Sequence, residues 1–426
     1  MRGRTNITQR TGATVNGVVR EFTVATGNQI SIGDFVQYKL QQDYKVFTDS
    51  SINFYEQYNY SGNKYALVGK TGNSHFLYLV EVIDETITVL DFVTLNIQDA
   101  NSNNLCFYAD GNTLYFSVEG INSGNVYTYV YTISNDVITY VKNYWTSIYT
   151  SSSYNYVVRA ISKIGNNFVV LYQFQKSSSN YDYGIAAVFY TFNDSNDRLV
   201  YSSVIDKIFG DSSGTSTNGK IDCWSDGQYI YGYFSRGSSY GYTFTVSSIE
   251  IANVINVGVV AVKAMCRENI ILVFISNQIR VYLFSSGIIS LLLTQGVTYN
   301  TNISVSLSVK NGVATVGFNL QNNTLGMYLF DIDYSNGQAF SKNVIVEDVG
   351  YFGNYNNVNI VVGDEIYHIL SGSDKSVKYF IYQEDSESLI IGTPTNYVES
   401  YNNGGAIGFA KTAGNSGDSI QVYTPN

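Results

Sequence analysis

Hydrophobic and polar residues alternate with a period of two along almost the whole chain, and clusters of Asn, Gly and Ser interrupt the alternation at short intervals. A period of two places successive side chains on opposite faces of a strand, so the pattern predicts β structure nearly end to end. One unit recurs: an Asn/Gly/Asp turn, a strand, a Gly/Ser-rich turn, and one or two returning strands. Instances open near Asn63, Asn112, Asn166, Gly227, Glu268, Asn311 and Gly363, so the six intervals average 50 residues. Each is preceded by a further strand-like run: Ser51–Tyr58, Asn104–Ala109, Asn155–Ile164, Lys220–Trp224, Val259–Cys266, Thr301–Val309 and Asn356–Val362. Four strands at that period predict β-propeller blades, here a seven-bladed ring over 46–397. A parallel β-helix would repeat faster, and a Greek-key sandwich would not repeat seven times.

The flanks, 1–45 and 398–426, hold short alternating strands around Gly-containing turns, too few on either side to bury a core alone. A closed ring brings its first and last strands together, so the flanks emerge near one another. They are expected to form one small β-barrel or sandwich-like anchor domain, into which the propeller is inserted.

In the flanks, Gly33, Asp34 and Val36 form a G-D-x-V strand. Ile407, Gly408 and Ala410 form I-G-x-A, and Ala413, Gly414, Gly417, Ile420 and Val422 form a Gly-rich hairpin. This order resembles the small β-domain of tailed-bacteriophage head decoration proteins. About 65 residues carry the likeness, and its two parts, adjacent in that family, are separated here by about 370 residues. The resemblance implies a structural virion surface protein, assembled in the host cytoplasm. Its expected partner is the major capsid protein, and its expected state is a homo-oligomer, commonly a trimer. Similar modules occur in phage tail and fibre proteins. A tail-fibre or baseplate receptor-binding protein is therefore one alternative, and a propeller glycan hydrolase or lyase is another.

Composition narrows the classes. Charged residues make up 14% of the chain, well below the ~25% of an ordinary soluble protein, while 39 Tyr and 37 Gly accompany only 2 Pro. That mixture suits pleated surfaces and turns and excludes a helical bundle. The net charge of -10 argues against nucleic acid as a partner. The charge is uneven: the first 20 residues carry Arg2, Arg4, Arg10 and Arg20 and no acid, leaving -14 on the remainder. The asymmetry predicts a basic docking strap onto an acidic shell. The N-terminus lacks the apolar run of a signal peptide, and no apolar stretch is long enough to span a bilayer, so no membrane association is expected.

Cys106, Cys223 and Cys266 are odd in number, widely spaced and each in the first strand of a unit, which predicts buried free thiols. His75 and His368 lie within strand patterns and are expected to be structural, without the further ligands a metal would need. Asp331, Asp333, Ser335, Asn336 and Gly337 have the spacing of a calcium loop, yet they fall where the sixth unit needs a turn; 193–197 is the analogous turn in the third. The Ser-x-Asp-x-Gly-x-x-x-Trp turn of sialidases, a phosphate loop and a Ser/His/Asp set are all missing from the sequence. The chain is accordingly read as non-enzymatic, without cofactor or metal. Tyrosines spaced by two (127, 129 and 131; 229, 231 and 233), with Tyr55, Tyr58 and Tyr60, are expected to pack between blades. Those around Tyr149–Tyr156 and Tyr351–Tyr355 are candidates for a rim binding host surface glycans.

Overall fold

A computed structural model describes residues 17–24, 29–31, 35–38, 52–83, 86–97, 105–120, 124–150, 154–176, 183–210, 220–236, 240–258, 263–275, 278–296, 305–310, 313–320, 324–333, 336, 338–346, 356–362, 365–371, 377–383, 388–391, 397–400, 408–410, 412–415 and 419–425. Every element among them is a strand. None is a helix long and apolar enough to cross a membrane. The chain divides into two compact units, Lys45–Glu387 and the paired ends Met1–Tyr44 with Ser388–Asn426.

From Asn53 to Ile391 the strands form antiparallel meanders of four, covering 53–95, 106–147, 154–210, 220–256, 263–296, 305–346 and 356–391. Five are separate four-stranded sheets, while the second and third meanders join in one eight-stranded sheet. First strands lie against first strands. Tyr154–Ile164 meets both Cys106–Asp110 and Lys220–Ser225, and contacts continue through Lys263–Arg267 and Val305–Lys310 to Asn356–Val362. That last strand in turn packs on Asn53–Ser61, the first strand of the first meander. The chain is an all-β propeller protein.

The core lies between consecutive sheets. One apolar cluster joins Leu79 and Ala66 of the first meander to Leu114 and Phe116 of the second. A second joins Val126 to Phe168 and Val188, a third Leu171 and Phe189 to Phe234 and Phe244, and a fourth Tyr231 to Ile271 and Phe284. A strand covered on both faces loses its alternation: all six residues of Ile270–Ile275 are buried. The outermost strand of that meander, Ile288–Gly296, keeps its polar side open. The tyrosine rows behave as packing residues. Tyr129, Tyr131, Tyr231 and Tyr233 are buried, and Tyr127 and Tyr229 pack against the same clusters. Tyr55 and Tyr58 are three apart, yet both join one cluster, because the register shifts between Phe54 and Glu56.

The repeat found in the sequence marks the hairpin between first and second strands. Gly62, Gly111 and Gly165 take positive φ there (55°, 57° and 54°), a region that glycine enters without steric cost. In the fifth meander Glu268 and Asn269 both take positive φ (39° and 68°), the requirement of a type I′ turn.

The second unit is a closed barrel of five strands: Gly17–Val24, Tyr397–Ser400, Phe35–Tyr38, Gly408–Ala410 and Ser419–Pro425. Two come from the N-terminal flank and three from the C-terminal side, so neither end completes it. A short pair, Gln29–Ile30 with Gly414–Asn415, accompanies it.

Candidate functional site

Chemistry-bearing side chains converge on the ring of first strands. Arg267, at the end of Lys263–Arg267, is 7% exposed. Its Nη2 bonds Glu56 Oε1 on the first strand of the first meander, and its Nη1 donates to Cys266 O at 2.6 Å. Asp222 Oδ1, on the first strand of the fourth meander, stands 4.0 Å from Nη1, and the Trp224 ring lies 5.2 Å from Cζ. Asp222 is fixed in turn, since its Oδ2 accepts the Cys266 amide at 2.8 Å. Two meanders separate the fifth from the first around the ring, so the Arg267–Glu56 bond reaches across it. Burial alone pulls the Arg267 guanidinium below its ordinary value, to about 10, which keeps it charged at neutral pH. Arg267 is committed to Glu56, and with Asp222 at 4.0 Å the three make a cross-brace.

The sequence offered no signal that selects Glu56, Asp222 and Arg267. Each is an ordinary charged residue in a strand, and only ring closure brings them together. The cysteines lie on first strands, as their spacing suggested, and are free. Cys106 and Cys266 are buried and Cys223 is half-buried. Burial pushes the Cys106 thiol up to about 12 and the other two well above their ordinary value. His75 is buried, with Nδ1 3.0 Å from the Tyr55 hydroxyl. His368 sits in strand Glu365–Ser371 opposite Asn359 and Phe380. Among the described residues no group of three or more His, Cys, Asp or Glu is placed to hold a metal ion. The calcium-like spacing contains a turn: Asp333 Oδ1 accepts the Asn336 amide at 3.1 Å and Oδ2 accepts its Nδ2 at 2.7 Å. In the third meander Asn193 Oδ1 likewise accepts the Ser195 amide.

No family model and no curated protein sequence matches the chain. Among solved structures, the periplasmic gluconolactonase of Pseudomonas aeruginosa is 12% identical, with a TM-score of 0.45 over 81% of this chain and 97% of that one. The WD40 domain of SCAP from fission yeast is 9% identical, with a TM-score of 0.41 over 89% and 97%. A puromycin-hydrolyzing peptidase of Mycobacterium tuberculosis is 8% identical, with a TM-score of 0.41 over 93% and 61%. At these scores none carries an argument about this chain, whose architecture rests on its own strand pairing.

The anchor motif is brought together in part. Val36 pairs with Gly408, Ala410 with Val422, and Gly414 with Ile30. Gly33, Asp34, Ile407 and Gly417 lie outside the described residues, as do Arg2, Arg4 and Arg10. Arg20 falls within barrel strand Gly17–Val24, opposite Val422. Tyr351–Tyr355 also lies outside the described residues.

One surface feature has no counterpart in the other meanders described. The outer strands of the second and third meanders, Val137–Ser147 and Arg198–Gly210, pair in parallel at Trp145 and Arg198. The Trp145 amide donates to Asp197 O at 3.1 Å, and the Arg198 guanidinium lies 4.2 Å over the Trp145 ring. Lys142 Nζ bridges Asp194 at 3.2 Å and Asp197 at 2.8 Å, and Tyr144 bonds Asp194. Hydrogen bonds from Tyr144 and Lys142 hold the Asp194 carboxyl below its ordinary value.

Proposed function

We propose that this chain is a non-enzymatic surface protein of a tailed-phage virion: a seven-bladed propeller displayed on a small anchor domain, decorating the outside of the capsid. The observation that carries the reading is the barrel completed by both chain ends. There, Val36 and Gly408, 372 positions apart in sequence and both part of the motif resembling head decoration proteins, are register partners. An inserted domain can occupy a barrel loop when its own ends are close. The major capsid protein is the partner this reading names, with homo-oligomers on the shell, and Arg2, Arg4, Arg10 and Arg20 are candidates for the docking strap. Arg267 is committed to Glu56 on the axis, which suits a structural role.

Quantitative mass spectrometry of purified virions tests the proposal. A copy number in fixed proportion to the major capsid protein supports capsid decoration. A few copies per particle would turn the reading toward a tail receptor-binding protein, and absence from the particle would end both. Release of reducing ends from host polysaccharide by the purified protein would overturn the non-enzymatic part.

A further inference from the structure

The joined outer edge of the second and third meanders presents aromatic rings that are already fixed in place. Tyr201, on Arg198–Gly210, is 51% exposed. Its ring runs nearly parallel to that of Tyr149, with centroids 6.3 Å apart and an angle of 7° between the planes. Tyr149 is packed edge-on against buried Tyr156 at 5.0 Å, and its backbone bonds the hydroxyl of buried Tyr172. That hydroxyl is also 3.3 Å from the Tyr190 hydroxyl. Tyr149 follows Trp145 by four residues and Tyr201 follows Arg198 by three, so the parallel pairing at Trp145 and Arg198 ties the two ring-bearing segments, one from each meander, to each other.

A tyrosine held in this way offers a flat apolar face at little further entropic cost on binding. Polar side chains share the Tyr201 strand. Ser202 is exposed next to Tyr201 at the register shift, and the exposed Asp206 carboxylate lies within electrostatic reach of Tyr149, whose hydroxyl it helps to push above its ordinary value, after burial and Tyr201. A flat ring on a strand that also carries an exposed hydroxyl and a carboxylate suits a pyranose, with C–H groups over the ring and hydroxyls donating to the carboxylate. Charge selects among sugars. The carboxylate at the site and the net charge of -10 disfavour acidic polysaccharides.

We infer that the joined edge is a binding platform for neutral glycans, with Tyr201 and Tyr149 as the stacking surface and Asp206 as the hydroxyl acceptor. This deepens the display reading by naming a ligand class, since weak sites at high copy number become useful through avidity. The binding itself is testable on the purified chain whether or not the chain is found on a virion.

The experiment titrates the full chain with oligomers of dextran, galactan, mannan and N-acetylglucosamine, with hyaluronan and polygalacturonate as acidic controls. Trp145 fluorescence and saturation-transfer NMR are the readouts. Binding of at least one neutral oligomer is expected, with a Kd on the order of millimolar. Y201A should weaken it about tenfold, the size of one lost aromatic contact, and Y201F should retain it, with circular dichroism unchanged in both. No response to any neutral oligomer, preference for the acidic controls, or binding indifferent to Y201A would overturn the inference. So would concentration-dependent self-association abolished by Y201A, which would make the platform a contact between copies of this chain.

Discussion

At the residue scale, the informative positions are those that carry charge or a thiol where the pattern calls for apolar packing. Arg267 and Glu56 form a shielded pair, with side chains 8% and 19% exposed. Breaking such a pair leaves a buried charge uncompensated, whereas replacing both partners by apolar groups is often neutral. E56L should therefore lower stability by about 3 kcal/mol, and the double variant E56L/R267M should recover most of it. Urea unfolding of the four corners of that cycle measures the coupling, and additive losses would contradict a cross-ring brace. The thiols give a second expectation. Burial raises all three, Cys106 to about 12, and only a thiolate reacts readily. At pH 8 the folded protein should leave all three cysteines unmodified by a disulfide reagent, and denaturant should expose all three. Rapid modification of any one in the folded protein would show that its strand opens.

Sheets carry their own logic, because an outermost strand leaves unpaired backbone groups. In each of the first five meanders the register shifts between the third and outermost strands, for instance at Leu79/Val80 and at Val281/Tyr282. A shift of this kind twists the edge away from strand addition. The second and third meanders add the parallel pairing at Trp145 and Arg198, which employs an outward amide. In hydrogen exchange followed by mass spectrometry, 137–147 should exchange more slowly than 288–296, the equivalent strand of the fifth meander. Equal rates would mean that the joined edge does not persist in solution. Much of this scale was legible in the chain. The run Asn356–Val362 is a strand with those same ends, and the recurring Gly/Asn turns fix the hairpins of the meanders. The register shifts were not legible. They alter pairing without altering composition: Tyr55, Tyr58 and Tyr60 read as one packing group, but nothing in the sequence showed the shift that lets Tyr55 and Tyr58, spaced by three, share it. In the fifth meander the described first strand is Lys263–Arg267, and 259–262 of the predicted run lie outside the described residues.

For the whole molecule, the period of about 50 residues made the propeller class readable, because each meander buries its faces only against its neighbours. The axial site was not readable in the same way. Glu56, Asp222 and Arg267 come from three meanders and meet only once the ring is formed. The split barrel lies between these cases: its Gly-rich motif was visible in the two flanks, and the pairing of Val36 with Gly408 is what unites them. On the proposed reading, that barrel seats the chain on a capsid lattice. Cryo-electron microscopy of the virion that carries this chain is the direct measurement. The account predicts density for the chain repeated over the outer face of the icosahedral shell, with the barrel of both chain ends in contact with the major capsid protein. Density confined to the tail tip or fibres, or a shell without it, would contradict the account.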